Sequence, residues 1–133
     1  MKRQKFSSNS PWEDVVGYSR AVRIGNIIEL SGTVAVDDSN KVVGIGNAYE
    51  QTKFIISKMI SYIEKAGGKK EDIVRTRMFV TDITQWEEIG KAHGEFFKDV
   101  KPVTTMVEVK SLISKEYLIE IEATAIIPEG NLS

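Results

Sequence analysis

The sequence predicts an α+β fold, a mixed sheet covered on one face by two helices, and three observations point there. β-rich runs lie near both ends of the chain, over 15–23, 27–36, 103–110 and 117–127, and the last of them alternates apolar with acidic or small residues. Two central stretches repeat with helical period instead, one from Gly46 and one from about Thr84. A further β-rich run, 73–81, lies between them, giving the order ββ(β)αβαββ and up to six strands.

Each element has its own signal. The first two runs flank Ile24-Gly25-Asn26, and Gly-Asn suits the positive-φ positions of a tight hairpin turn. Asp37 to Asn40 is a second turn cluster, and Val42-Val43 after it is short enough to pair only as a small strand. Ala48, Thr52, Ile55, Met59, Ile63 and Ala66 then fall on one stripe, which Ile56 and Ile60 widen. Asn47 with Glu50 three residues later resembles a capping box, and Gly67-Gly68 stops the helix after about twenty residues. Thr84 and Glu87 repeat the capping spacing for the second helix, whose predicted apolar face is Trp86, Ile89, His93, Phe96, Phe97 and Val100. Lys101-Pro102 ends it, because proline cannot continue the hydrogen-bond ladder. Two strands close the chain, and Pro128 with Gly130 ends the order.

A length of 133 residues is near the modal size of one domain, and 41% hydrophobic with 28% charged residues is an ordinary globular balance. One domain spanning 1–133 is therefore expected. Eighteen Lys and Arg against nineteen Asp and Glu leave a formal net charge of −1, which gives no bulk field for phosphates and disfavours nucleic acid as a partner. With no cysteine and one histidine, His93, thiolate chemistry, disulfides and multi-histidine zinc sites are excluded, and neither metal nor cofactor is expected. No G-x-S-x-G elbow presents a serine. The basic start, MKRQKFSSNS, runs into Pro11-Trp12-Glu13-Asp14 rather than an apolar segment, so the expectation is a cytoplasmic protein without membrane contact and with a solvated amino-terminal tail.

The sheet face turned from the helices is the candidate functional surface. Ile119, Ile121, Ala123 and Ala125 alternate with Glu120, Glu122 and Thr124, so the last strand has an aliphatic and an acidic face. In the strand before it, Thr104, Met106 and Glu108 share one face and Thr105, Val107 and Val109 the other. If the aliphatic faces lie under the helices, Thr104, Met106, Glu108, Glu120 and Glu122 all point away from them. Such a face meets water or another subunit. Glu120 and Glu122, two apart on one strand, could pair as acid and base, and the same two carboxylates would equally suit an interface.

The order and spacing of Gly17-Tyr18-Ser19-Arg20-Ala21-Val22, Gly25-Asn26, Leu30-Ser31-Gly32, Asp72-Ile73-Val74-Arg75, Phe79-Val80-Thr81-Asp82, Glu95-Phe96-Phe97, Pro102, Val107-Glu108-Val109 and Ile119 to Ala123 resemble the Rid family. These are the reactive intermediate deaminases, also called YjgF or L-PSP endoribonucleases. The resemblance implies a chorismate-mutase-like fold and a homotrimer with small-molecule pockets at its subunit interfaces. It also implies hydrolysis of enamines and imines without a cofactor. By motif, Tyr18, Ser31 and Gly32 would line one side of the pocket and Thr104, Thr105 and Met106 the other, with Glu120 positioning the attacking water. Gly90 takes the place of the family's pocket asparagine, and Thr104 takes that of its carboxylate-binding arginine. A guanidinium makes two charge-assisted hydrogen bonds of about 1.5–3 kcal/mol each, whereas threonine offers one neutral donor.

The functional reading is therefore a Rid-type pocket protein with weak or altered imine deaminase activity. A metabolite-binding or protein-interaction member without turnover is the alternative, and an endoribonuclease is the third. Arg20, Arg23, Arg75 and Arg77 are candidate replacement anchors; Arg20 is best placed, sharing a strand face with Tyr18. Without that role they are surface or interface charges. His93 reads as a packed, hydrogen-bonded side chain, and Trp86, Phe96 and Phe97 as core.

Overall fold

The computed structural model describes residues 1–129; Gly130, expected to end the order, lies outside the described residues. Six strands form one sheet: β1 (Arg3–Phe6), β2 (Ala21–Ile24), β3 (Ile27–Thr33), β4 (Ile73–Val80), β5 (Val103–Glu108) and β6 (Ile119–Ile126). Their spatial order is β1-β2-β3-β6-β4-β5, antiparallel throughout except for the parallel pair β4 and β5. The α+β mixed sheet of six strands is thus as expected, but the sixth strand comes from an unexpected place. The amino terminus is no solvated tail: Arg3–Phe6 pairs with β2 as an edge strand, where charged side chains are the usual defence against edge-to-edge association. Val42 makes only an isolated bridge to Val36.

The run expected as a strand over 15–23 divides in two. Helix α1 (Pro11–Val16) takes its first part, with the Ser10 side chain accepting from Trp12 N, proline in the first turn, and Gly17 at φ 89° as the left-handed stop. Only Ala21–Ile24 remains extended.

Two longer helices, α2 (Ala48–Lys65) and α3 (Trp86–Phe97), pack against one another, and α2 lies across β3 and β6. Asn47 caps α2 by accepting from Glu50 N at 3.0 Å. The core between sheet and helices holds Ile28, Leu30, Ile55, Ile56, Met59, Ile63, Ile119, Ile121, Ala123 and Ala125. Helix α3 differs from expectation at its start: Thr84 does not cap it; Asp82 caps a 3-10 turn over Ile83–Gln85 by accepting from Thr84 N, and α3 follows from Gln85 without a side-chain cap. Trp86 is 56% exposed rather than core, while Phe97 is buried and Phe96 packs at the core margin. No helix among the described residues is long and apolar enough to cross a membrane.

Gln51 fixes the approach to β6. Fully buried on α2, its amide nitrogen donates to Gly44 O and Glu116 O, and its oxygen accepts from Leu118 N. Glu120 enters the sheet two residues later.

Candidate functional site

A bulge in β3 builds the floor of the site. Leu30 is opposite Ala123 and Thr33 opposite Ile121, so Ser31 and Gly32 together occupy the place of one residue facing Glu122. Ser31 is pinned there: its N–H donates to Arg20 O and its hydroxyl to Ser19 O at 2.6 Å. The glycine at 32 has a steric reason, since a Cβ there would fall inside the contact distance of the Glu120 carboxylate.

Glu120 is half-buried beside this bulge, and no donor of the chain reaches its carboxylate among the described residues. Burial pushes the carboxyl up from its ordinary value, the Arg20 cation pulls it down, and Glu122 adds to the upward push. Arg20 stands nearby without a direct ion pair. Its Nη1 donates to Gly32 O at 2.8 Å and its guanidinium lies 5.7 Å from the centroid of the Tyr18 ring. Arg20 Nε is the one buried side-chain polar atom without a partner among the described residues, a state that native structures rarely tolerate. Behind it, Lys58 of α2 donates from Nζ to Val36 O at 2.8 Å; burial lowers its pKa, and Arg20 lowers it further.

The other arginines are occupied or remote. Arg23 donates to Gly25 O and, at 2.7 Å, to Ala66 O at the end of α2. Arg77 pairs with Glu122 at 3.0 Å, so Glu122 is engaged in a surface ion pair, although its charge still reaches Glu120. Arg75 lines a hollow of about 290 Å³ on the open sheet face with Ser19, Ser31, Arg77 and Glu122. That hollow lies alongside Glu120, not around it.

The expectation that Thr104, Met106 and Glu108 share a face with Glu120 is overturned. Thr76, Met78 and Val80, all buried, stand opposite Thr104, Met106 and Glu108, whereas Arg77 and Phe79 stand opposite Thr105 and Val107. Arg77 and Phe79 also face Glu122 and Glu120. Thr104 and Met106 therefore project on the helix side and Thr105 on the Glu120 side. The reason is the parallel register between β4 and β5, which the residues of β5 do not reveal by themselves.

Two separate groups result. Tyr18, Arg20, Ser31, Gly32 and Glu120 meet around the bulge of β3. Thr104 and Met106 lie on β5, the opposite edge strand from β1, and Gly90 lies on α3, with open space where a Cβ would be. A feature unread in the sequence backs the second group: Thr76 Oγ1 is 2.7 Å from Thr104 Oγ1 and 2.9 Å from His93 Nε2. His93 is the packed, hydrogen-bonded residue expected, and burial lowers its pKa. Nothing in the spacing of Thr76, His93 and Thr104 links them, since β4, α3 and β5 meet only in the folded chain.

Comparison with known proteins agrees with this architecture. The endoribonuclease L-PSP family model matches residues 8–127. A RutC family protein of Pyrococcus abyssi is 31% identical, over 90% of this chain and 93% of its own. A 3-aminoacrylate deaminase, RutC, of Acinetobacter baylyi is 30% identical, over 81% of this chain and 85% of its own. The crystal structure of a Mycobacterium tuberculosis member of the YjgF/YER057c/UK114 family superposes with a TM-score of 0.85 at 40% identity, covering 95% of this chain and all (100%) of that one.

Proposed function

Because this chain belongs to the endoribonuclease L-PSP family, the Rid or YjgF proteins, we propose that it forms a homotrimer in which the Glu120 group of one subunit faces the Thr104 group of the next, closing a pocket that hydrolyses small enamines or imines. The observation that carries this reading is the arrangement around the bulge: a half-buried carboxylate without an internal donor, held against Gly32, beside an arginine with an unpartnered Nε. The separation of the two groups within one chain supports the assembly, since neither encloses a ligand alone.

In the proposed step, water held by Glu120 attacks the imine carbon while the carboxylate takes its proton. That proton passes to the imine nitrogen, giving a carbinolamine; its hydroxyl proton then moves to the nitrogen as the carbon–nitrogen bond breaks, and ammonia leaves a carbonyl product. An imine is already electrophilic, so holding water and substrate in line supplies most of the acceleration. Arg20 would bind the substrate carboxylate in place of the arginine that Thr104 replaces. Within the described residues only its Nη1 is engaged, which leaves Nη2 for a substrate, whereas Arg23 and Arg77 do not stand free. Anchoring from the Glu120 side suits a compact substrate with its carboxylate next to the imine carbon, the bond pattern also present after tautomerisation of a short aminoacrylate.

Clearance of freshly generated 2-aminoacrylate tests this. The full chain should exceed the uncatalysed rate, and Glu120→Gln should lose at least a hundredfold in kcat with little change in KM. Binding of the 2-oxo product without turnover of the imine would instead establish the metabolite-binding reading, which the neutral Thr104 favours.

A further inference from the structure

Thr76 lies between His93 and Thr104, and its hydroxyl has one hydrogen to give. Whether that hydrogen goes to the ring or to Thr104 fixes the direction of the whole chain. If Thr76 donated to His93, Nε2 would be bare and Nδ1 would hold the ring hydrogen. Among the described residues no acceptor for Nδ1 is found, and His93 is only 8% exposed, its ring packed 4.6 Å from that of Phe97. An unpaired buried donor is a rarer defect than an unpaired acceptor. The favoured arrangement thus puts the hydrogen on Nε2, which donates to Thr76, and Thr76 donates to Thr104. Thr104, exposed on β5, then accepts from inside and has its own hydrogen left for whatever lies outside.

We propose that His93, Thr76 and Thr104 form a directional hydrogen-bond chain that commits Thr104 to donate to an acceptor oxygen of the ligand, at the point where an arginine would grip a carboxylate. Thr104 is the specificity-determining contact, and Thr76 and His93 are positioning residues that act through it. The favoured ligand presents a neutral carbonyl, as in a 2-oxo amide, or a single carboxylate oxygen there, and a group that can only donate is disfavoured. This inference rests on the reading that Thr104 lines the ligand pocket.

Having one histidine makes the chain's direction measurable in the intact protein through the imidazole nitrogen-15 resonances. The expected spectrum has a protonated Nε2 and a bare Nδ1. Thr104→Val removes the outlet for the Thr76 hydrogen and should shift the ring toward the Nδ1–H form, although Thr104 does not touch His93; Thr104→Ser should leave the ring unchanged. A bare Nε2 in the unmodified protein, or a ring indifferent to Thr104→Val, overturns the direction. Calorimetric binding of pyruvamide supplies the second readout, with about a fivefold loss expected in Thr104→Val, the worth of one neutral hydrogen bond, and recovery in Thr104→Ser. Pyruvamide binding that Thr104→Val leaves unchanged overturns the ligand contact while the pocket reading stands. If neither pyruvamide nor pyruvate binds the unmodified protein, the pocket reading and the ligand contact fall together, and the ring tautomer alone then decides the chain's direction.

Discussion

Glu120 occupies a place where its charge costs the fold something. Its raised pKa means that, above the ordinary carboxyl value of 4.5, the folded chain binds more protons than the unfolded one until the raised value is passed. Stability attributable to this group therefore falls as pH rises through that window and stays lower above it. Glu120→Gln should melt higher than the unmodified protein at pH 7 and lose that advantage below about pH 4.5, as thermal unfolding across pH would record. Gly32→Ala tests the same contact sterically. The added Cβ must displace the carboxylate, so the variant should fold yet clear 2-aminoacrylate at least tenfold more slowly. His93 has the opposite sign. With its pKa lowered from 6.5, the folded chain binds fewer protons than the unfolded one below that value, and stability is lost as pH falls. The neighbourhood of Arg20, Ser31, Gly32 and Glu120 was legible in the sequence, because strand alternation and motif resemblance pointed the same way. The partners of Thr76 were not, because β4, α3 and β5 bring them together only in the folded chain.

At the scale of elements, legibility followed local signals. Helix α2 was readable because its apolar stripe, its Asn47 cap and its glycine stop agree. Helix α1 carries equally local signals in Ser10, Pro11, Glu13 and Asp14, but its six residues are too few for a periodic pattern to form. Strand β1 was hidden for another reason: a charged edge strand looks like a solvated tail until its partner is known. Trp86 was assigned to the core by spacing, yet the 3-10 turn before α3 leaves it 56% exposed. Gln51 is the element-scale residue to test, since it joins α2 to the segment leading into β6 through three hydrogen bonds. Gln51→Leu leaves buried backbone groups unpaired at about 1–3 kcal/mol each. A loss of at least 2 kcal/mol in urea unfolding is expected, together with reduced clearance as Glu120 loses its fixed approach.

For the whole molecule, the proposed trimer follows from a site divided between the β3 bulge and the β5 edge. Light scattering at micromolar concentration should give three times the 14.9 kDa chain mass. Arg77 and Glu122 on the open sheet face are a surface pair in the single chain, worth little unless covered by another subunit. The most direct test of the central claim, that Glu120 works with an anchor moved from the Thr104 position to Arg20, is the clearance rate of 2-aminoacrylate by four proteins against a protein-free control. Clear activity is expected in the unmodified chain, at least a tenfold loss in Arg20→Gln, and partial recovery when Thr104→Arg is added to Arg20→Gln, with Thr104→Arg alone remaining active. Background activity in the unmodified chain with strong activity in Thr104→Arg would contradict that claim, showing an intact scaffold in which Arg20 does not serve as the anchor.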